Sequence, residues 1–292
     1  MGIATLIKGH EKDLGGGFLV RRYLPAAVKQ AVGPFIFFDH FGPVDVPADA
    51  NHDVRPHPHI GLATVTYLFE GAMDHRDSVG SVQRIEPGAI NWMTAGRGIV
   101  HSERTPPDLV GVPHRTHGLQ LWAALPVAHE ETEPGFCHTP AQAIPEYDGT
   151  GVCVRILVGS AFGLTSPVQT YSTTLYLDVM LQAGAVLSLD QLPAEAAIYP
   201  ISGEMSVDGQ ELALHAMALL DTSAVPQIAA QTQARFVVIG GDPLDGHRYM
   251  SWNFVSSRKE RIVQASEDWE AQRFDAVPGE TEFIPLPARL PR

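Results

Sequence analysis

Two short patterns hold the side chains best suited to chemistry. His57-Pro58-His59 and His101-Ser102-Glu103 each set two potential metal ligands at i and i+2. On a strand, residues two apart point to the same face, so each pattern acts as a two-pronged donor. Two neighbouring strands carrying such pairs aim three imidazoles and a carboxylate at one point. Nitrogen and oxygen donors of this kind suit a divalent first-row metal. Three neutral imidazoles and one carboxylate leave such an ion with a net charge of about +1, and octahedral geometry leaves two positions for substrate, water or oxygen. A lone strand histidine is more often a satisfied polar group, and it is the second pattern that favours the metal reading. Eleven of the 13 histidines lie at or before position 138, and only His215 and His247 lie beyond it. Any such centre therefore belongs to the first half.

The elements that must position these residues read as strands. The chain has 27 Gly and 23 Pro in 292 residues, and its apolar runs are short and punctuated, which favours strands joined by turns over long helices. In the run from Ala63 to Phe69, Val65, Tyr67 and Phe69 share one face, and Glu70-Gly71 supplies a turn. Similar runs span Gly88 to Met93, Leu119 to Leu125, Val152 to Val158, Thr174 to Leu181 and Arg235 to Ile239. Gly96 and Gly98 permit positive φ and a tight turn that delivers His101 to the next strand. Asp208-Gly209 predicts a two-residue hairpin.

Tyr67, Gly71 and Met73 recur as Tyr199, Gly203 and Met205 at one offset of 132. The same offset carries His57 and His59 onto Leu189 and Gln191, so the second half is expected to be metal-free and structural. Pro126 to Thr150 reads as the crossing, with the boundary near residue 145 and domains at 1–145 and 146–292. Late in the chain, Ser257-Arg258-Lys259-Glu260 has capping-box spacing, followed by Ile262, Ala265 and Trp269 at helical intervals. Arg258, Lys259 and Arg261 then form a solvated face.

A net charge of -13 opposes direct binding to phosphate backbones. No window approaches the ~20 apolar residues of a membrane helix, and the first residues lack the apolar run of a secretory signal; a cytoplasmic protein is expected. Cys137 and Cys153 are too few for a disulfide framework and read as reduced and structural. There is no GxSxG and no GxxxxGK, and His129-Glu130 lacks the second histidine of HExxH. Gly15-Gly16-Gly17 is read as a turn. His75 is expected to hydrogen-bond at a strand edge, and His114 and His117 to be surface polar residues. Phe35, Phe37, Phe38 and Phe41 read as barrel packing. Gln120 and Trp122 share a strand face and are candidates to line a pocket, where the indole suits a planar ligand.

The stretch from Gly88 to Glu103 resembles the second motif of the cupin superfamily. More specifically, His57-Pro-His59-Ile-Gly-Leu-Ala-Thr-Val-Thr-Tyr-Leu-Phe-Glu-Gly71, Phe35-Ile-Phe-Phe-Asp-His-Phe-Gly-Pro43, Met93-Thr-Ala-Gly-Arg-Gly-Ile-Val-His-Ser-Glu103 and Gly118-Leu-Gln-Leu-Trp122 are similar to the pirin family. The similarity continues through Asp268-Trp269, Arg273-Phe274, Val277-Pro-Gly-Glu280 and Phe283-Ile-Pro-Leu-Pro287, so it covers nearly the whole chain.

This resemblance implies a mainly β fold, a bicupin of two tandem antiparallel β-barrels with a short C-terminal helical segment. It implies a metal in the N-terminal barrel, held by His57, His59, His101 and Glu103. Fe(II) is expected, with Ni, Co, Mn, Cu or Zn as alternatives. One position departs from the pattern: many pirins carry Glu four residues after the second histidine, and here that residue is Ala63. The carboxylate then depends on Glu103. Two roles follow from the resemblance. One is a dioxygenase that opens a flavonol such as quercetin with O2 and releases carbon monoxide, with Glu103 as ligand and proton acceptor. The other is a non-enzymatic, metal- or redox-sensitive regulator that binds another protein, for which the sequence shows no partner motif.

Overall fold

A computed structural model describes residues 2–13 and 19–288; the expected turn at Gly15-Gly16-Gly17 lies outside them. The alternating runs form strands at Leu62–Glu70, Ile90–Thr94, His114–Ala124, Val152–Val158, Thr174–Leu181 and Ala234–Gly241. Asp208 and Gly209 link Met205–Val207 to Gln210–Leu212 with φ of 48° and 79°, the left-handed pair that a type I′ hairpin requires. The 132-residue echo is structural. Leu62–Glu70 turns at Gly71 into Met73–Asp77, and Glu195–Ser202 turns at Gly203 into Met205–Val207. Tyr67 and Tyr199 are both buried.

The chain divides into two compact units. One consists chiefly of Asp39–Ala141 with the segment from Asp245 onward; the other is chiefly Gln142–Leu244 with Arg21–Phe38 and the strand Ile3–Lys8. These units differ from the expected division at residue 145 in what the chain ends do. Ile3–Lys8 pairs antiparallel with Ala216–Leu220, because an edge strand needs backbone partners and a distant segment supplies them as well as a near one. The stretch Pro126 to Thr150 is also more than a crossing. Gly135–Thr139 pairs with Ile90–Thr94, and Glu146–Gly149 pairs with Val152 to Arg155.

The helix Lys259–Glu270 belongs to the first unit, where Ile262, Ala265 and Trp269 pack with Ile60, Val100, Phe254 and Val277. The capping box does not form. Arg258 is the N-cap, without a side-chain cap bond, because Ser257 donates both its amide and its hydroxyl to the buried Glu130 carboxylate, each at 2.8 Å. A cap contributes about 1 kcal/mol, whereas each large apolar side chain buried on the helix face contributes roughly 1.5–3 kcal/mol. Packing decides where this helix lies. Its basic residues are also engaged rather than simply solvated: Arg258 and Arg261 pair with Glu131, Arg261 donates to the Arg97 carbonyl, and the Lys259 ammonium lies 5.0 Å from the Tyr249 ring centroid.

The interior of the second unit is filled by aliphatic and aromatic side chains, among them Val154, Leu177, Ile198, Phe236 and Val238. Leu189 joins that core, while Gln191 is exposed. Cys137 and Cys153 are free thiols. Among the described residues no helix is long and apolar enough to cross a membrane.

Candidate metal centre

The two ligand patterns lie on adjacent antiparallel strands. A four-stranded sheet runs in the order Val54–His59, Ile99–Arg104, Met73–Asp77, Val82–Ile85. His101 is the register partner of His57, and Ile99 that of His59. The period of two then puts His59 on the same face one step along. The ring centroids of His57 and His101 are 4.3 Å apart, and each is 5.1 Å from that of His59. One nitrogen from each ring lies within 4.8 Å of the others. Bonds of about 2.0–2.1 Å to a shared ion put donor nitrogens roughly 3–3.5 Å apart, so small side-chain adjustments suffice. The turn before this strand depends on Gly96, at φ 51°, where an added Cβ would stand 2.0 Å from the Thr132 carbonyl oxygen.

Burial sets the protonation states. It lowers His57 to about 4, opposed by a 2.9 Å hydrogen bond from Nδ1 to the Arg55 carbonyl. That bond fixes the tautomer and leaves Nε2 as the donor to a metal. His59 and His101 are held well below the ordinary histidine value, by burial first and by the neighbouring imidazoles second. All three are neutral at pH 7, as metal ligands must be. Nδ1 of His59 and both ring nitrogens of His101 are buried without a hydrogen-bond partner. Unpaired buried polar atoms cost about 1–3 kcal/mol each, a cost that a coordinated cation removes for one nitrogen of each ring. The donor set therefore fits a divalent first-row ion.

Glu103 follows on the same strand, two residues after His101, but its carboxylate is not among the atoms that converge within 4.8 Å. The register shifts beside it. After His101 pairs with His57, Glu103 pairs with Val54, so the partner strand has one extra residue there, and such a bulge bends the strand. Burial pushes the Glu103 carboxyl up to about 7.

The expectation for His75 is corrected. Met73–Asp77 pairs on both sides and is not an edge. His75 is buried, its Nε2 lies 2.9 Å from Asp77 Oδ2, its ring stacks on Phe136 at 4.2 Å, and its centroid is 5.3 Å from that of His101. Glu103 is opposite His75, and His101 is opposite Asp77. The i, i+2 spacing of His75 and Asp77 was visible in the sequence and repeats that of the two ligand patterns.

Trp122 forms one wall, its ring 5.2 Å from His59 and nearly perpendicular to it. Gln120 accepts the Thr66 hydroxyl at Oε1, at 2.8 Å. Ala63 pairs with Ala123, whereas Thr64 pairs with Trp122. Position 63, where the resemblance leads one to expect glutamate, thus faces away from the Trp122 side, and alanine there leaves the triad intact. His117 is not a surface residue: it lies in the strand His114–Ala124, buried, with Nε2 2.7 Å from His40 Nε2. His114 bonds the Val112 carbonyl, and neither belongs to the triad. Phe35, Phe37, Phe38 and Phe41 are all buried.

Two family models match the chain, Pirin over residues 17–123 and Pirin C-terminal cupin domain over residues 176–275. A pirin-like protein of Caulobacter vibrioides is 44% identical, over 98% of this chain and 99% of its own length. Pirin of Homo sapiens is 34% identical, over 91% of each chain. Among solved structures, quercetin 2,3-dioxygenase from Acinetobacter baumannii superposes with a TM-score of 0.90 at 33% identity, covering 98% of this chain and 95% of that one. The architecture is accordingly that of a bicupin.

Proposed function

Because the chain belongs to the pirin family, we propose that it is a metal-dependent dioxygenase that opens a flavonol such as quercetin with O2, using Fe(II) in the cytoplasm. The observation that carries this reading is the convergence of three buried, neutral imidazoles beside an aromatic wall. His57, His59 and His101 hold the metal, and Glu103 completes the set as a fourth ligand. When bound, a redox-capable divalent ion in this donor set supplies Lewis-acid activation of an enol oxygen and a meeting point for O2.

The remaining work falls to the chain's own residues. Glu103, two residues after His101 on the same strand, is the carboxylate placed to take the 3-hydroxyl proton of a flavonol. The Trp122 indole presents apolar surface to planar rings and keeps water from the His59 side. The His75–Asp77 pair braces the opposite side, with Asp77 anchored by the amides of Val79 and Ser81.

The test begins with elemental analysis of freshly purified protein. Metal-stripped protein is then reloaded with Fe(II), Ni, Co, Mn, Cu or Zn and mixed with quercetin in aerated buffer. Loss of the flavonol absorption band with release of carbon monoxide, absent in His101→Ala, is the expected result. A band left unchanged by every metal overturns the flavonol reading.

A further inference from the structure

The ligand-bearing sheet has a second face, and the tail of the chain covers it. Val100, Ser102 and Arg104 alternate with His101 and Glu103 and therefore point the other way. Val100 packs with Trp269 and Val277. Ser102 donates its hydroxyl to Glu280 Oε1 at 2.5 Å. Arg104 donates Nε to the same oxygen at 3.3 Å, and its Nη2 bonds the other Glu280 oxygen and, at 2.7 Å, Glu282. Four residues further along, the Ile284 amide donates to the carbonyl of Pro56, the residue before His57, at 2.8 Å. The Ile284 carbonyl in turn accepts from the Trp269 indole at 3.0 Å. One segment thus ties both ligand strands from behind.

Glu280 is the centre of this tie. Its side chain is 6% exposed and that of Arg104 is 16% exposed, so the pair is shielded from water and its loss is felt strongly. Its two partners flank Glu103 on either side. We propose that Glu280 is a positioning residue of the metal centre: by gripping Ser102 and Arg104 it fixes the strand that presents His101 and Glu103. Side chains behind the ligands commonly set metal affinity in this way. The proposal rests on the reading of the triad as a metal site.

The test uses Co(II) as the probe, titrated into the metal-stripped full chain, with the dissociation constant and the visible ligand-field bands as readouts. Metal-free melting curves report folding separately. Glu280→Ala is expected to weaken Co(II) about tenfold and to displace the bands. Glu282→Ala, which removes the 52% exposed partner of the same arginine, stays within twofold of wild type. Glu280→Gln keeps the volume and the Ser102 acceptor but not the charge; it displaces the bands in the same direction, and it decides the matter where the alanine variant does not fold. A dissociation constant within twofold of wild type with unmoved bands overturns the proposal. So does weaker binding with unmoved bands, which marks lost folding rather than a repositioned ligand. If wild type binds no Co(II), or His101→Ala binds it equally well, the triad reading itself fails and this proposal falls with it.

Discussion

His101 stands between two opposite neighbours: His57 faces it across one antiparallel pair, with ring centroids 4.3 Å apart, and Asp77 faces it across the other. Its removal is therefore the sharpest single test of the triad. His101→Ala is expected to abolish stoichiometric metal binding. Metal at about 100 times its dissociation constant stabilises wild type by about 2.7 kcal/mol; the variant gains nothing. Calorimetric melts with and without metal measure both.

Metal affinity should depend on pH through Glu103. Burial holds its carboxyl at about 7 in the folded chain, above the ordinary 4.5, and it must lose that proton to ligate. As pH falls below 7, the apparent dissociation constant rises about tenfold per unit; above 7 it levels off. His57, at about 4, adds nothing across this window. In folding the sign reverses: a raised carboxyl pKa costs stability above pH 4.5, in full above about 7, and that stability returns as pH drops. Titration calorimetry from pH 5 to 8 reads the slope, and Glu103→Gln should flatten it.

Trp122→Ala leaves the triad in place and removes the aromatic wall beside His59. An aromatic contact of about 0.5–1.5 kcal/mol beyond simple burial corresponds to a several-fold to tenfold weaker flavonol affinity. Metal content measured by elemental analysis should be unchanged, and Trp122→Phe should recover most of the loss.

Asp77→Ala strips the acceptor from three donors at once: the Val79 and Ser81 amides and the His75 ring. An orphaned buried donor costs about 1–3 kcal/mol; the His75 bond is buried whereas the two amides are only part-buried and regain water, so a loss of about 2–4 kcal/mol is expected in urea unfolding of the metal-free protein. A loss below 1 kcal/mol would mean that the 78–81 turn re-satisfies itself.

Much of the fold was legible because strand geometry is local. The alternation of Val65 and Tyr67 and the Asp208-Gly209 turn each depend on a few consecutive residues. The helix face of Ile262, Ala265 and Trp269 is local in the same sense, although its cap was misread: Ser257 met a carboxylate 127 residues away in sequence. His75 was misread for a related reason. Whether its strand is an edge depends on what pairs with it: Val82–Ile85 follows as a local hairpin, but the strand on its other side, Ile99–Arg104, comes from further along the chain. His117 likewise reads as a surface loop residue until His40 is brought against it.

From the order of residues alone, one learns which donors exist and that His57, His59, His101 and Glu103 point in pairs, since the direction of a side chain along a strand follows from its own backbone. Which pairs meet is another matter. Adjacency and register arise from hydrogen bonds between distant segments, and it is these that bring the three imidazoles together. The folded chain alone decided that Asp77 would back His101, that Glu280 would grip the reverse of the same strand, and that the first strand would join the second unit. Those choices minimise unpaired backbone and exposed apolar surface over the whole molecule, and no short window of sequence contains that sum.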